Sequence, residues 1–570
     1  YYKLQGLDKT GNIDTTLEKL VDIDNLIDYM LNIFYSGNFD APLSEFGGNN
    51  QPNNFYAIKN RNSKREGFFF IVHDAEHTFN YISGSQENNN SGVQENRVSL
   101  ENDGMSSPSS YLKFTPQWLH HRLKSNAKYR LRFADRAVKY LYNDGLLTAS
   151  QVEKVFKART NQINMAIIGE SARWGDSKSS YDNSHTKDNA WIPAVNNTVS
   201  KFIKLRTPIV IQQLKDAGLL PKTDIPVVKQ DGKAVSVNKV EISKPIKVTF
   251  ENPNVNGKIV VSTDGNDPMN IDGTQYSSAT TFANGEEMDI SSATIVKARI
   301  KTDTEWSPLR EVIFTNKANR ENIRITEIQY NPAATASFGS KSMEFIEFKN
   351  IGTTGIDLSG CRIDSAVKYT FPEGSIIAPG KFVVIAADIT AFESTYLKAP
   401  TGRFSGNLAN EGERVILYDE SNTALIDFTY KPDWVLRANE TGFSLVAKSK
   451  TPDTKPEAGT TYWKGSVLIG GSPFADDEGY IPPSEIETSK ITCSIYPNPA
   501  SSVIKIEAMG SNFRNLKMVD LQGRTIYNEN LRSDRISMSL NLQQLQVSQG
   551  IYFIVLKNDK EMKVQKVVVK

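Results

Sequence analysis

The sequence predicts a multidomain protein in which an α-rich α+β lobe is followed by three all-β sandwich modules. Three observations carry this reading. The chain has 570 residues, well beyond what one hydrophobic core organises. Up to about residue 220 the apolar residues recur at helical spacing. After Pro221 the pattern changes to short alternating segments separated by Gly, Asn, Asp and Pro, as in small antiparallel sandwiches.

Each element has its own signal. In "VDIDNLIDYMLNIFYSG", Ile23, Leu26, Ile27, Met30, Leu31 and Phe34 share one helical face and Asp22 is placed as N-cap. "LTASQVEKVF" opens with a capping box, Thr148 and Gln151, ahead of a long amphipathic helix. Thr207 and Pro208 read as N-cap and first helical residue, and Gly218 as the stop. "SGSQENNNSGVQEN" is too polar to bury much and reads as a surface excursion. The lobe spans 1–221. A small β-sandwich follows over 222–317, with "KPIKVTF", "GKIVVST" and "ATIVKARI" as strands. A second all-β block covers 318–475, "DDEGYIPPSEIETSK" reads as a linker over 476–490, and a last β block fills 491–570.

Composition excludes some functions. A net charge of +1 gives no reason to expect nucleic acid. With 39% hydrophobic residues and no apolar run long enough to span a bilayer, the chain reads as soluble, without a transmembrane segment. Cys361 and Cys493 are too few and too far apart for a disulfide scaffold or a cysteine-rich zinc site. The chain opens without an initiator Met or an apolar leader and reads as cut at the front.

"GFFFIVHDAEHTF", from Gly67, is the segment that carries chemistry. A run that reads as a buried strand, Phe68 to Val72, ends in His73, Asp74, Glu76 and His77. One reading is a core strand ending in a polar loop. A second is the inverted zincin pattern H-x-x-E-H, with His73 and His77 as ligands and Glu76 polarising a water; that chemistry needs a helix to bring residues four apart onto one face. A third is phosphoryl transfer, which needs a carboxylate to orient the attacking hydroxyl, then an amide and a carboxylate for magnesium. Asp40, Asn53 or Asn54, and Asp74 occur in that order. His120 and His121 lie in "PQWLHHRLKSNAKYRLRF", read as an amphipathic helix with a solvated basic face. Trp174 in "ARWGD" reads as a packed anchor or helix stop.

The runs "DIDNLIDYMLNIFYSGNFD", "NNFYAIKNRN" and "GFFFIVHDAEHTF", with "RLRFADRAVKYLYNDGLLT" and "IGESARWGD" further on, resemble the CotH family of atypical protein kinases. The resemblance implies an α-rich α+β atypical kinase C-terminal lobe that uses ATP and Mg2+ and transfers phosphate to protein hydroxyls. It implies Asp40 as the catalytic aspartate, Asn54 as the amide at the metal and Asp74 as the metal carboxylate. Asn53 stays open as a substitute for Asn54, and Glu76 and His77 are placed around the metal position. The family's nucleotide lobe, with its phosphate-contacting Lys and partner Glu, precedes these motifs. The chain as it stands is therefore expected to bind ATP poorly.

The β modules carry resemblances of their own. "KIVVSTDGNDPMN" is similar to the turn of chitobiase C-terminal and fibronectin-like associated domains, with Asp264-Gly265 expected to form a tight hairpin turn and the module a spacer. Residues 319–474 resemble the lamin tail domain through "ITEIQYNP", "EFIEFKNIGTTGIDLSGCRI" and "NLANEGERVILYD". Cys361 stands where that family often has Trp, and Glu344 and Glu347 are expected to face opposite sides of a strand. "IYPNPASSVIKIE", "LKMVDLQGRTIYNE" and "SQGIYFIVLKNDKEMKVQKVVVK" resemble the C-terminal sorting domain of the type IX secretion system. That implies the type IX machinery as partner and a place outside, or on the outer membrane of, a Bacteroidota-type cell. Two functions stay open: an exported CotH-type kinase acting on a protein substrate, and a non-catalytic surface scaffold that uses its β modules to bind a surface ligand.

Overall fold

The computed structural model describes all residues except 50, 62, 83–90, 101–114, 179–183, 318–319, 336, 436, 439–441, 478–491, 510–513, 522, 532–534 and 558–561. Most of the polar excursion at 83–96 and of the linker at 476–490 therefore lies outside the described residues.

The N-terminal part is α-rich with a two-stranded sheet. Its helices are α1 (Ile23–Ser36), α2 (Pro116–Leu123), α3 (Ala127–Leu141), α4 (Ala149–Ile163), α5 (Ala166–Trp174), α6 (Ile192–Asn197) and α7 (Lys204–Asp216). The strands β1 (Phe55–Ile58) and β2 (Phe69–Val72) form an antiparallel hairpin. Asp22 caps α1 as the sequence predicts, accepting the Asn25 amide at 2.9 Å. The predicted apolar face is buried, and so are Tyr29, Ile33 and Tyr35, because β2, α2, α3 and α7 surround the helix.

Both ends of α1 are clamped. Asn25 brackets the backbone of Phe70, donating to its carbonyl at 3.1 Å and accepting its N–H at 2.6 Å. At the other end Arg206, fully buried, donates to the carbonyls of Phe34 and Tyr35, which the helix leaves unpaired, and to those of Val93 and Glu95. Gly37, at φ 62°, then turns the chain out of the helix, a left-handed conformation that glycine adopts without strain.

Several local expectations are corrected. Thr148 holds the N-cap position of α4, but its hydroxyl donates to the Gly145 carbonyl at 2.7 Å and no capping box forms. Thr207-Pro208 does not start a helix. A continuous helical run from Lys187, partly π-wound, passes through both residues, and the Thr207 hydroxyl is drawn to the Leu147 carbonyl at 2.9 Å. Gly218 does end the run, at φ 66°. "PQWLHHRLKSNAKYRLRF" is two helices, divided where Asn126 caps α3.

The basic face of that stretch is largely solvated, with Arg122, Lys128 and Arg132 exposed. Arg132 and Arg136 make forked pairs with Asp24 and Asp28 of α1. Both pairs step by four residues in the same sense, so α1 and α3 run side by side in one direction. His120 is buried against Phe34 and Phe133, with Nδ1 2.8 Å from the Tyr129 hydroxyl. Trp174 ends α5 and is 49% exposed, a helix stop and not a packed anchor.

Three β modules follow. The first packs a five-stranded sheet against a four-stranded one, with Val248, Phe250, Val296, Ala298, Val312 and Phe314 between them. Asp264-Gly265 is not its hairpin turn: the strands Lys258–Ser262 and Thr280–Phe282 pair across the longer excursion 263–279, inside which Asp264 accepts Asn266 and Tyr276. Asp267 serves a tertiary contact. Arg299, 1% exposed, is held between Asp267 and Asp135 of α3 with four nitrogen–oxygen distances of 2.6–2.8 Å. This contact fastens the sandwich to the helical part.

The second β module opposes a six-stranded and a five-stranded sheet over a core that includes Ile325, Phe348, Cys361 and Trp463. Cys361 is wholly buried, and burial pushes its thiol up to about 11. Glu344 accepts the Leu408 amide, whereas Glu347 accepts the Thr326 hydroxyl and the Phe474 amide, so the two carboxylates serve different partners. The last module has a three- and a four-stranded sheet.

Two measurements test this architecture. Arg299→Met leaves Asp135 and Asp267 facing each other unpaired, and is expected to lower stability by about 3–5 kcal/mol in urea unfolding. For pH, burial, followed by the nearby cations Lys124 and His121, pushes His120 down to about 3 from an ordinary 6.5. The unfolded chain then binds one proton more than the folded one between these values. Stability is therefore complete above pH ~6.5 and falls by about 1.4 kcal/mol per pH unit on acidification. His120→Phe should flatten that slope in calorimetric scans.

Candidate functional site

The site grows out of the C-terminal end of α1. After Gly37 the chain runs through buried Asn38 and Phe39 to Asp40, 6% exposed. The Asp40 amide donates to the Asn38 side chain at 3.0 Å. The following loop is laced by backbone bonds to the segment leading into β1: Asn53 N–H donates to Pro42 carbonyl at 3.0 Å and Ser44 N–H to Gln51 carbonyl at 3.1 Å. Arg97, 1% exposed, secures the same loop through the Leu43 carbonyl at 2.6 Å and the Asn49 side chain at 2.9 Å. Burial raises the nearby Glu45 carboxyl, helped by Glu95 and opposed by Arg97.

This lacing brings Asp40 and Asn54 together. Asn54 Nδ2 donates to Asp40 Oδ2 at 2.8 Å, and the Ser44 hydroxyl donates to Asp40 Oδ1. Of the two adjacent asparagines, Asn54 reaches Asp40 with its side chain, and Asn53 contributes its backbone to the loop. Each carboxylate oxygen has one donor and keeps a second lone pair. With its amide nitrogen on Asp40, Asn54 keeps its carbonyl oxygen as an acceptor.

The hairpin brings in Asp74. Phe55 pairs with Val72, so Asn54 and His73 occupy the next register step and Asp74 lies one residue beyond. Asn54 and Asp74 both adopt left-handed backbone, at φ 49° and 48°, which asparagine and aspartate tolerate better than most residues. Asp74 is exposed, and its carboxylate has no hydrogen-bond partner among the described residues.

β2 is not a fully buried strand. Phe70 points inward, while Phe69 and Ile71, with Tyr56 and Ile58 of β1, lie on an exposed face. His73 packs on Tyr56 with ring centroids 4.7 Å apart. His77 packs on Phe39 and Phe46 at 4.9 and 5.1 Å, with Glu76 3.6 Å from its Nε2. The segment His73–Thr78 is not helical, so the zinc reading lacks the geometry it needs. Among the described residues no group of three or more His, Cys, Asp and Glu side chains is disposed to hold a metal ion. The Asn54 carbonyl and the Asp74 carboxylate, at neighbouring ends of the hairpin, are hard oxygen donors. They suit magnesium, which keeps several waters and needs few protein ligands.

The sequence reading missed Ser44 and Arg97. Ser44 stands four residues after Asp40 in a loop, where spacing alone carries no signal, and Arg97 acts through a backbone carbonyl and a loop asparagine distant in sequence.

Comparison with known families matches three segments of the chain. Residues 4–208 match the family described as CotH kinase protein, 316–432 the Lamin Tail Domain, and 494–570 the Secretion system C-terminal sorting domain. The chain thus carries a CotH kinase-type segment, a lamin tail domain and a type IX sorting domain. The chitobiase-like relation of the first sandwich rests on its turn sequence alone. The sorting domain marks the protein for export and attachment to the cell surface through the type IX system. Among the described residues no helix is long and apolar enough to cross a membrane.

No curated protein matches the chain. Among solved structures, it is similar to dimeric latent PorU of Porphyromonas gingivalis at 9% identity over 61% of this chain and 34% of that one, with a TM-score of 0.14. A DUF4876 family protein of Bacteroides thetaiotaomicron is 10% identical over 43% and 96%, with a TM-score of 0.19. PorZ of Porphyromonas gingivalis, a surface component of the type IX secretion system, is 11% identical over 57% and 56%, with a TM-score of 0.13. Scores this low carry no argument about fold, and the chain spans 34% of the PorU chain it matches.

Ser44→Ala removes the donor from Asp40 Oδ1 and leaves a buried carboxylate oxygen unsatisfied. A loss of about 1–3 kcal/mol is expected in denaturant unfolding followed by the signal of the helical part.

Proposed function

We propose that this exported surface protein is a CotH-type protein kinase whose phosphotransfer site is built from Asp40, Asn54 and Asp74. The observation that carries the reading is the Asn54–Asp40 hydrogen bond, made at the mouth of the hairpin that delivers Asp74. A kinase site needs one carboxylate to orient the attacking hydroxyl, and an amide and a second carboxylate to face the metal. Here the three come from two loops tied by backbone bonds, so their spacing does not depend on side-chain flexibility.

Asp40 receives and orients the hydroxyl of a protein substrate. Its buried position and its two fixed donors, Ser44 and Asn54, set the direction in which the remaining lone pairs point. Asn54 and Asp74 would hold Mg2+. Bound Mg2+ with ATP supplies the phosphoryl group and neutralises its charge. His77, between Phe39 and Phe46, stiffens the loop bearing Asp40.

Calorimetry on the whole native polypeptide tests the proposal. Mg2+-dependent ATP binding is expected, weakened by more than about tenfold in Asp74→Ala. Asp40→Asn should bind ATP nearly as well but lose phosphate transfer to protein by a factor of about 10² or more. The absence of ATP binding in the whole polypeptide, or binding indifferent to Asp74→Ala, would overturn it.

A further inference from the structure

The lamin tail domain carries a groove that the phosphotransfer reading does not use. Its volume is about 690 Å³. It lies where the chain crosses between the two sheets: Gly402–Arg403 is an edge strand beside Ile385 and Ala386, and Ser405–Gly406 is an edge strand beside Val367 and Lys368. Phe404, 2% exposed, anchors the crossing. Tyr369 lies flat along Gly402, where a Cβ would meet its hydroxyl oxygen at 2.2 Å, so only glycine lets the ring settle there.

Charge distinguishes this groove. Three cations line it, Lys341, Lys368 and Arg403, all exposed, against one carboxylate, Asp388. Asp388 is already committed to capping the helix Ile389–Tyr396, where it accepts the Ala391 amide at 2.9 Å. Arg403 donates Nε to the Ala387 carbonyl at 3.1 Å, which fixes the side chain and turns the rest of the guanidinium outward. Lys368 has only an exposed partner, Asp364, at 3.4 Å, a contact worth little in water. The rim adds hydroxyl and amide groups from Ser342, Thr370, Ser405 and Asn407. Ala387 is the one aliphatic side chain in the lining.

We infer that this groove binds an anionic polysaccharide. Sugar carboxylates or sulfates would pair with Arg403, Lys368 and Lys341, a sugar face would pack on Tyr369, and ring hydroxyls would meet the rim. An acidic peptide would take the same charges, but it needs aliphatic or aromatic slots for its side chains, and this lining offers only Tyr369, Ala387 and the buried Phe404. The address of the protein agrees, since the sorting domain places it on a cell surface, where charged glycans are at hand. The inference is independent of the kinase reading.

The test uses the whole polypeptide with galacturonate hexamer, heparin hexasaccharide, maltohexaose and a short polyglutamate as probes. One or both anionic sugars should bind, with affinity falling as salt rises; the arm that binds tells carboxylate from sulfate. Maltohexaose and polyglutamate should bind at least about tenfold more weakly, a difference of about 1.4 kcal/mol. The pair Lys368→Ala and Arg403→Ala should cost about tenfold or more. Lys341→Glu, an exposed site away from the strands, should do the same with an unchanged melting temperature, so misfolding cannot mimic the result. Failure of both anionic sugars, equal binding of polyglutamate, or full binding by the variants would overturn the inference.

Discussion

The candidate site depends on the burial of α1. A helix surrounded on nearly every side cannot leave its terminal backbone groups to water, so protein must satisfy them. Asp22 does this at the start, accepting the Asn25 amide, and Arg206 at the end. The groups recruited are the ones that build the site. Asn25 grips the backbone of Phe70 and so fixes β2, while the αL turn at Gly37 aims the chain at Asp40. Phe79, donating its N–H to the Ser36 carbonyl at 2.9 Å, returns the chain to the same helix end after Asp74. Asp40 and Asp74 are thus referred to one rigid element from opposite directions.

What the sequence made legible follows from which interactions are local. The apolar face of α1, its Asp22 cap, the stop at Gly218 and the all-β texture after Pro221 are properties of neighbours in the chain, and the structure has them. Asp40, Asn54 and Asp74 were legible through family motifs, and the structure adds the bond between the first two. Partners distant in sequence could not be read. The pairing of Arg132 and Arg136 with Asp24 and Asp28 could not be read because the partners lie over one hundred residues apart in the chain. Thr207 and Thr148 looked like caps because their real acceptors, Leu147 and Gly145, are set by tertiary placement or by a turn. Asp267 lies in a polar loop stretch, and its charge serves Arg299, thirty-two residues further on.

The same contrast separates the modules. The first sandwich is tied to the helical part by a buried arginine between two aspartates, and Leu131 of α3 packs beside Trp306 and Val260. A paired buried charge of this kind adds little net stability but strongly disfavours any other docking, because a misplaced partner leaves an ion without a counter-charge. The expectation of a spacer therefore needs refinement: this module extends the lobe rigidly.

The lamin tail domain ends in a different kind of lock. Glu327 and Glu347 sit opposite one another on adjacent strands, both about 1% exposed. They accept Ser472 and Phe474 amides from the segment that closes the module. Burial raises both carboxyls, Glu347 to about 8, and each feels a neighbouring acid. A proton retained by this pair therefore favours the folded module most at acidic pH, below the ordinary glutamate range, and its contribution declines as pH rises above that range. Just beyond, Lys349 pairs with Asp476, and Lys464 with Asp477 at 2.9 Å. The first two residues of the linker are thus fastened to the lamin tail domain by two buried cations, next to the carboxylates that hold Ser472 and Phe474.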